Sequence, residues 1–145
     1  KALILLINKD DLVGQEERSF LDHDLEQYQF FLDKIPQLFI SCTTEKNIGK
    51  ILPLVKEVWE RYTKEFSDEE LTFLFKEALE HKPLYHKTRE LKVKKARQIK
   101  TGPITIVLHA NYPQWFGPSQ LAFFENQLRK KYSLRGVPIK FIPRG

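Results

Sequence analysis

Residues 1–15 read KALILLINKDDLVGQ, and this stretch determines the fold of the first part of the chain. Residues 3–7 form a continuous apolar run that is too short for a helix. Such a run is typical of a strand buried on both faces of a parallel sheet. Asn8, Lys9 and Asp11 follow directly at its carboxyl end, the edge at which open α/β sheets bind ligands. The stretch therefore predicts an α/β sheet with a ligand site that begins at Asn8.

The segments after this strand alternate between helical and strand patterns as far as residue 65. Residues 15–35 and 46–62 carry apolar side chains at helical spacing, and the segment QLFISCT at residues 37–43 is typical of a second buried strand. The apolar positions of the two helical segments are Phe20, Leu21, Leu25, Tyr28, Phe31 and Leu32, followed by Ile48, Ile51, Leu52, Val55, Val58, Trp59 and Tyr62. Strand, helix, strand and helix in this order make one half of an α/β sheet.

A second pattern begins after a break in composition near residue 66. Ser67 and Glu70 form a capping box, which predicts the start of a helix, and Pro83 ends it. Two strands at residues 91–100 and 104–110, a helix at 119–132 and a strand at 137–142 follow. We therefore predict an α-β-β-α-β unit over residues 66–145.

Composition limits the class of protein. The chain has 145 residues, of which 41% are hydrophobic and 30% charged, and no apolar run approaches the length of a membrane span. Its single cysteine, Cys42, cannot form an internal disulfide, which favours a reducing, cytoplasmic compartment. The sequence contains no methionine and begins inside a predicted strand. We expect further sequence upstream and no association with a membrane.

Charge divides the chain into two parts. Residues 1–62 carry 8 Lys/Arg and 11 Asp/Glu, a net charge of −3, whereas residues 63–145 carry 16 and 8, a net charge of +8. Such an imbalance predicts two units, the second of which either binds a polyanion or presents a solvated basic face.

Asn8, Lys9 and Asp11 spell NKxD, a pattern whose chemistry fits a guanine base. The Asp11 carboxylate can accept hydrogen bonds from guanine N1–H and the 2-amino group together, which adenine cannot supply. A site built for such a pair rejects the wrong base by several powers of ten. The Lys9 stem can cover the purine face, and Asn8 can tie its loop to neighbouring phosphate-site backbone and reach the base edge. The alternative is a plain Asn/Asp turn after a buried strand.

Ser41, Cys42 and Thr43 end the second predicted strand about thirty residues later. A backbone N–H in this loop would donate to guanine O6 and repel the 6-amino group of adenine. The two loops resemble the fourth and fifth motifs of translation-factor-related GTPases, NKxD and S-A-K, with Cys42 in place of Ala and Thr43 in place of Lys. Because the contact is made by backbone, a small cysteine is tolerable.

The chemistry of phosphoryl transfer is missing from the sequence. A phosphate-binding GxxxxGK[ST] loop would need Gly where Thr44 stands and Ser or Thr where Ile51 stands. We also predict no metal site, because Asp22 and Asp24 point away from His23 on a helix. We therefore expect these 145 residues alone to be catalytically inactive.

The second unit indicates a family. The segments QIKTGPITIVLHANYP (98–113) and AFFENQLRKKYSLRGVPIKF (122–141) closely resemble the C-terminal domain of the Der (EngA) GTPases, bacterial proteins with two tandem G domains. The resemblance implies that residues 1–65 are the C-terminal part of a G domain, a partial P-loop GTPase α/β sheet. It implies that residues 66–145 are a KH-like domain.

The resemblance also implies a function and partners. The parent protein would be a GTPase that acts in assembly of the large ribosomal subunit and binds GTP or GDP with Mg, while no cofactor is expected on this piece alone. The expected partners are the large subunit and its RNA and the missing G domains. Self-association through an exposed sheet edge is a further expectation. The alternatives are a stand-alone RNA-binding module and a docking module, neither with a nucleotide role.

Basic residues of the second half are the candidates for contact with RNA: Lys92, Lys94, Lys100, Lys130, Lys131 and Arg135. Alternation along residues 91–100 would place Val93 and Ile99 on the buried face, so Lys95 and Arg97 would need a bulge or an acidic partner. No two glycines are three residues apart, so the GXXG loop of ordinary KH domains is missing. Four aromatic residues either stack on bases or pack internally: Tyr85, Tyr112, Trp115 and Phe116.

Overall fold

The structure is a computed structural model that describes residues 1–145, and the chain forms two compact units. The first unit contains Lys1–Arg61 and Leu134–Val137, and the second contains Tyr62–Ser133 and Pro138–Gly145.

The first unit has the predicted order of strand, helix, strand and helix, with the first helix divided in two. Its elements are β1 (Leu5–Ile7), α1 (Gln15–Glu26), α2 (Gln29–Leu32), β2 (Gln37–Phe39) and α3 (Ile51–Tyr62). Strands β1 and β2 pair in parallel, with Leu5 opposite Gln37 and Ile7 opposite Phe39. Parallel pairing brings the carboxyl ends of both strands to the same edge of the sheet.

Of the thirteen apolar residues predicted to line these helices, six are exposed and only two are buried. Leu32 is the one buried member of the set in residues 15–35, and Val58 is the one in α3. Phe20 and Leu52 are 71% and 78% exposed. The periodicity correctly predicts the helices, but a sheet of two strands offers them little surface to pack on.

A short segment from later in the chain completes the first unit. The Leu3 N–H donates to the Gly136 carbonyl at 2.8 Å, and the Gly136 N–H donates to the Lys34 carbonyl at 2.6 Å. Gly136 has a φ of +82°, and a Cβ there would lie 2.7 Å from the Leu3 carbonyl oxygen. Both the backbone conformation and the close approach therefore require glycine at this position. The buried apolar residues of the unit are Leu32, Ile35, Ile40, Val58, Leu134 and Val137.

The second unit has the predicted α-β-β-α-β order with one additional hairpin. Its elements are α4 (Asp68–His81), β3 (Leu84–His86), β4 (Arg89–Leu91), β5 (Val93–Lys100), β6 (Ile104–Ala110), α5 (Pro118–Lys131) and β7 (Ile139–Arg144). The main sheet has the order β5-β6-β7, antiparallel between β5 and β6 and parallel between β6 and β7. Ser67 caps α4 by accepting a 3.1 Å hydrogen bond from the Glu70 N–H.

The helices of the second unit pack on its sheet through a fully buried core. Phe75 of α4 and Phe124 of α5 meet edge to face, with ring centroids 5.3 Å apart. Phe141 of β7 completes the cluster at 5.8 Å from Phe75. Further buried side chains are Leu71, Ile104, Ile106, Leu108 and Leu128. The core explains why this unit shows the complete predicted order.

Strand β5 departs from simple alternation. Val93 and Ala96, three residues apart, are buried, whereas Ile99 is 53% exposed. The prediction that Ile99 lies on the buried face is therefore wrong. The register with β6 shifts after Val93 and again after Gln98, and a one-residue shift turns the following side chains to the opposite face.

The outer edge of β5 is covered by α4. The Thr72 hydroxyl accepts a hydrogen bond from the Ala96 N–H at 3.0 Å and donates to the Ala96 carbonyl at 3.2 Å. Both backbone groups at the centre of this edge are thereby satisfied, which blocks pairing with another strand there. None of the helices has the length and apolar character that crossing a membrane requires.

Candidate functional site

Two polar loops meet where β1 and β2 end in the first unit. Asn8 follows β1 directly, and its side-chain Oδ1 accepts hydrogen bonds from the Lys9 N–H at 2.8 Å and the Cys42 N–H at 3.3 Å. Lys9 has left-handed backbone angles, with φ 64°, so the chain turns sharply after the strand. Asn8 therefore ties the NKDD loop to the Ser41–Cys42–Thr43 loop, a contact that differs from the predicted tie to phosphate-site backbone.

A second link joins the two loops through Ser41. Its hydroxyl donates a 2.5 Å hydrogen bond to Oδ1 of Asp11 and accepts one from the Thr44 N–H at 3.2 Å. Ser41 is fully buried, whereas Asp11 is exposed. The buried hydroxyl fixes one carboxylate oxygen of Asp11, and the other has no partner within the chain. That second oxygen is available to accept from a ligand.

A third link passes through Asp10, which lies between Lys9 and Asp11. Its side chain is 2% exposed and pairs with two cations, Arg18 through Oδ1 and Lys46 through Oδ2. The hydrogen bond from Lys46, and then that from Arg18, lowers the pKa of Asp10 below its ordinary value of 3.8, although burial opposes this shift. Asp10 is therefore an ionised carboxylate held between two elements.

Two hydrogen bonds connect the two loops, and they involve four of the six predicted site residues: Asn8 with Cys42, and Asp11 with Ser41. The side chains of Lys9 and Thr43 are exposed and make no polar contact in the structure. The N–H of Ser41 donates to the Lys46 carbonyl at 3.1 Å, and the N–H groups of Cys42 and Thr44 are also engaged. The Thr43 N–H is left as the donor that a ligand oxygen can use.

The residues that sequence reasoning missed are Asp10, Arg18 and Lys46. Asp10 occupies the variable position of NKxD, so the pattern assigns it no role. One signal in the sequence pointed to Asp10: two adjacent carboxylates, Asp10 and Asp11, repel each other unless cations lie near them. The two cations lie 8 and 36 residues away, and no spacing rule connects them to Asp10.

The basic residues of strand β5, and Lys92 just before it, divide into those with a carboxylate partner and those without one. Lys95 and Arg97 both face Asp68, at 3.1 Å and 3.7 Å, so they have the acidic partner that the sequence required. Lys92 pairs with Glu90 at 3.1 Å. Two further RNA candidates, Lys94 and Lys100, are exposed and have no carboxylate partner. Of the predicted RNA contacts in this segment, Lys94 and Lys100 are therefore unpaired, whereas Lys92 is already in an ion pair.

The remaining RNA candidates lie on different units. Lys130 and Lys131 are in the last turn of α5 in the second unit, and the Lys131 ammonium lies 5.7 Å from the Tyr132 ring centroid. Arg135 belongs to the first unit, where its guanidinium donates to the Ile35 carbonyl at 3.2 Å. Arg135 is thereby used in holding its own segment.

Two of the four aromatic candidates, Tyr112 and Trp115, stack in one cluster, and the other two lie apart from it. Trp115 stacks on Tyr112 at 4.4 Å and on His86 at 4.8 Å between ring centroids. Arg89 donates to the Tyr112 hydroxyl at 3.1 Å, which ties the β3–β4 hairpin to the loop after β6. Phe116 is buried and packs on Phe124, whereas Tyr85 is 58% exposed. Internal packing thus accounts for Phe116 and, in large part, for Trp115.

Histidine and acidic residues do not converge on a metal site. His23 lies 3.6 Å from the Glu26 carboxylate on the exposed face of α1. No group of three His, Cys, Asp or Glu side chains is placed to hold a metal ion.

The fold and the two loops together define the class of protein. A parallel strand pair with polar loops at its carboxyl ends and a separate α-β-β-α-β unit make a mixed α/β protein. A family described as "KH-domain-like of EngA bacterial GTPase enzymes, C-terminal" matches residues 66–144, and the chain belongs to this family. The predicted resemblance and fold class are confirmed.

Curated relatives match along almost the whole chain. The GTPase Der of Desulforamulus reducens is 34% identical over 147 residues, which cover 99% of this chain and 34% of that protein. The GTPase Der of Caldanaerobacter subterraneus is 34% identical over 142 residues, covering 96% of this chain and 32% of that protein. The chain spans about a third of the length of these relatives.

Among solved structures, Era in complex with MgGDPNP and a segment of 16S ribosomal RNA is similar at 14% identity and a TM-score of 0.30. The match covers 97% of this chain and 53% of that one. This likeness is too weak to assign a fold or a partner.

Proposed function

We propose that the first unit reads the guanine base of GTP and GDP within a longer GTPase. The observation that carries this proposal is the hydrogen bond from Ser41 to Asp11, because it fixes one carboxylate oxygen and leaves the other open. Asp11 would accept from guanine N1–H and the 2-amino group, and the Thr43 N–H would donate to guanine O6. Each contact distinguishes guanine from adenine.

The residues present would recognise the base and leave phosphate chemistry to other parts of the parent protein. Lys9 is exposed at the turn after β1, where its stem would cover the purine face. Mg, when bound in the parent, would supply charge stabilisation to the phosphates; no residue of this chain is assigned to it. Hydrolysis is accordingly proposed for the parent and not for residues 1–145.

The test is nucleotide binding by the longer protein that carries this chain. Fluorescent GDP is bound and then displaced by GTP, ITP or ATP. We expect GTP to compete better than ATP by several powers of ten and ITP, which lacks the 2-amino group, to fall between them. Residues 1–145 alone are expected to show neither hydrolysis nor micromolar binding. Equal competition by ATP and GTP would refute the assignment of the base site.

We propose a second role for the second unit, contact with RNA of the large ribosomal subunit during its assembly in the cytoplasm. The observation that favours it is the net charge of +8 over residues 63–145, with Lys94 and Lys100 free of carboxylate partners. Unpaired exposed cations are the groups that release counterions when they meet phosphates. A salt titration of RNA binding tests this role.

The sheet of the first unit supports a proposal about partners. β1 and β2 pair only with each other, so each strand has an unpaired edge, and Leu3 and Leu6 are 48% and 40% exposed. We propose that the remaining G-domain residues of the parent cover this surface. In their absence, a second copy of the chain would compete for the same edges. Concentration-dependent association of residues 1–145 that is absent from the longer protein would support this view.

A further inference from the structure

Asp10 connects three segments of the first unit, and Asp10 together with Arg18 and Lys46 is called the Asp10 hub below. Its carboxylate is almost fully buried, and its two oxygens bind different cations, Arg18 on α1 and Lys46 on the loop after β2. Its backbone N–H also donates to the Ile40 carbonyl at 3.0 Å. Three separate segments of chain are therefore held at one residue. All other members of the NKDD loop are exposed.

Burial makes these ion pairs different from ordinary surface pairs. A buried carboxylate loses its hydration, and the arrangement is stable only when hydrogen-bonded cations replace the lost water. Because each cation satisfies a different oxygen, removing either one leaves part of the charge uncompensated. The position of Asp10 thus depends on both Arg18 and Lys46, and their positions depend on Asp10.

The links lead from Asp10 to the base-reading carboxylate by two routes. One is covalent, because Asp11 follows Asp10 within the short 3-10 turn Asp10–Leu12. The other passes through Lys46, whose carbonyl accepts from the Ser41 N–H at 3.1 Å, and through Ser41, whose hydroxyl donates to Asp11. Together, the two routes form a closed ring of contacts through Asp10, Lys46, Ser41 and Asp11. A displacement of Lys46 therefore moves the hydroxyl that fixes Asp11.

We propose that Asp10 is a positioning residue for guanine recognition, acting through Lys46 and Arg18 to hold the two base-reading loops in register. This inference rests on the proposed function of the first unit. Asp10 does not touch the base; it sets the distance between Asp11 and the backbone donors after Ser41. Loss of the hub loosens the contacts to the base edge and leaves contacts to phosphates, which lie outside this chain, unchanged.

The test compares base discrimination in variants of the longer protein. In Asp10→Asn, we expect GTP affinity to fall about 10- to 100-fold, the range for losing charge-assisted hydrogen bonds. The preference for GTP over ITP should shrink, because the contact to the 2-amino group is loosened. XTP should gain nothing. Asp22→Asn, an exposed Asp on α1, is the matched control and should behave as the parent.

A second pair of variants separates positioning from folding. Lys46 is the more exposed of the two cations that bind Asp10, with 55% of its side chain accessible against 40% for Arg18, so its substitution disturbs the packing of the unit least. Lys46→Gln should reduce the GTP-to-ITP preference, and Lys46→Arg should keep it, because the charge remains. Thermal unfolding of each variant without nucleotide reports whether the fold is retained.

Three outcomes are distinguishable. A smaller GTP-to-ITP preference in folded Asp10→Asn and Lys46→Gln, with Lys46→Arg unchanged, supports the inference. Lower thermal stability with the same preference overturns it and makes Asp10 a purely structural residue. If the unmodified parent does not prefer GTP over ATP, the proposed base site itself fails, and the positioning role is rejected with it.

Discussion

The Ser41 hydroxyl lies 2.5 Å from Oδ1 of Asp11, thirty residues earlier in the chain. This bond joins the ends of two parallel strands, and it settles which oxygen of Asp11 faces the interior. The outward oxygen is the one that a bound base would contact under the proposed function. The chemistry of the site can therefore be altered at the outward atom while the inward bond is kept.

Asp11→Asn in the longer protein should change the preferred base from guanine to xanthine. The amide oxygen can still accept from Ser41, which places the amide NH2 outward, where it can donate to the 2-keto group of xanthine. We expect GTP affinity to fall at least about 100-fold and XTP affinity to exceed it. Competition binding measures both, with the exposed Asp24→Asn as control. Full preference for GTP in the variant would show that Asp11 does not read the base.

Ser41→Ala should weaken both the fold and the site. The substitution leaves the Thr44 N–H without its acceptor and Asp11 without its buried donor, at a cost of about 1–3 kcal/mol in the free energy of unfolding. GTP affinity of the longer protein should fall about tenfold or more. Cys42→Ala is the matched control, because only the backbone N–H of Cys42 is used. A larger loss in Cys42→Ala than in Ser41→Ala would contradict this assignment.

Tyr132 should titrate late and limit stability at high pH. Burial, and then the hydrogen bond to the Glu70 carboxylate, raises its pKa from 10.0 to about 12. The stabilisation is complete below pH 10, where the phenol is neutral in folded and unfolded chains, and it is lost as the pH rises towards 12. Tyrosinate absorbance during an alkaline titration should show one late tyrosine among the five.

Tyr132→Phe should remove that late step and cost about 1–2 kcal/mol of stability at neutral pH, since a hydrogen bond to a charged group is lost. Tyr85→Phe alters an exposed ring and should leave the late step in place. If both variants retain the late step, another tyrosine is responsible for it.

Lys94 and Lys100 should account for part of the salt dependence of RNA binding. Each phosphate neutralised contributes about 0.7 to 0.9 to the log–log salt slope, so replacing both lysines by Gln should flatten the slope by about one to two units. The control replaces Lys95 and Arg97 by Gln. Because Asp68 already neutralises them in part, a smaller change is expected. Equal slopes in parent and both variants would make β5 a solvated face with no role in RNA contact.

The sequence by itself determined the main order of elements and the residue types of the two loops, but not the β3–β4 hairpin or the division between α1 and α2. Short apolar runs before Asn8 and Ser41 could be assigned as strands because they are too short for a helix. The predicted burial of these strands on both faces is wrong, since no residue of β1 or β2 is buried and Leu6 is 40% exposed. Parallel pairing then requires the loops after them to lie side by side. The helices α4 and α5 were equally predictable, since local capping and apolar spacing act within one helix.

Only the tertiary structure decided how those elements are completed. The Asp10 hub depends on cations 8 and 36 residues away, and the exposed Ile99 depends on a register shift with β6. The glycine at position 136 is required by the Leu3 carbonyl, which lies at the opposite end of the chain. Periodicity in the sequence indicates which side of a segment is apolar. Contacts between distant segments depend on the relative positions of their backbones, which no local sequence pattern predicts.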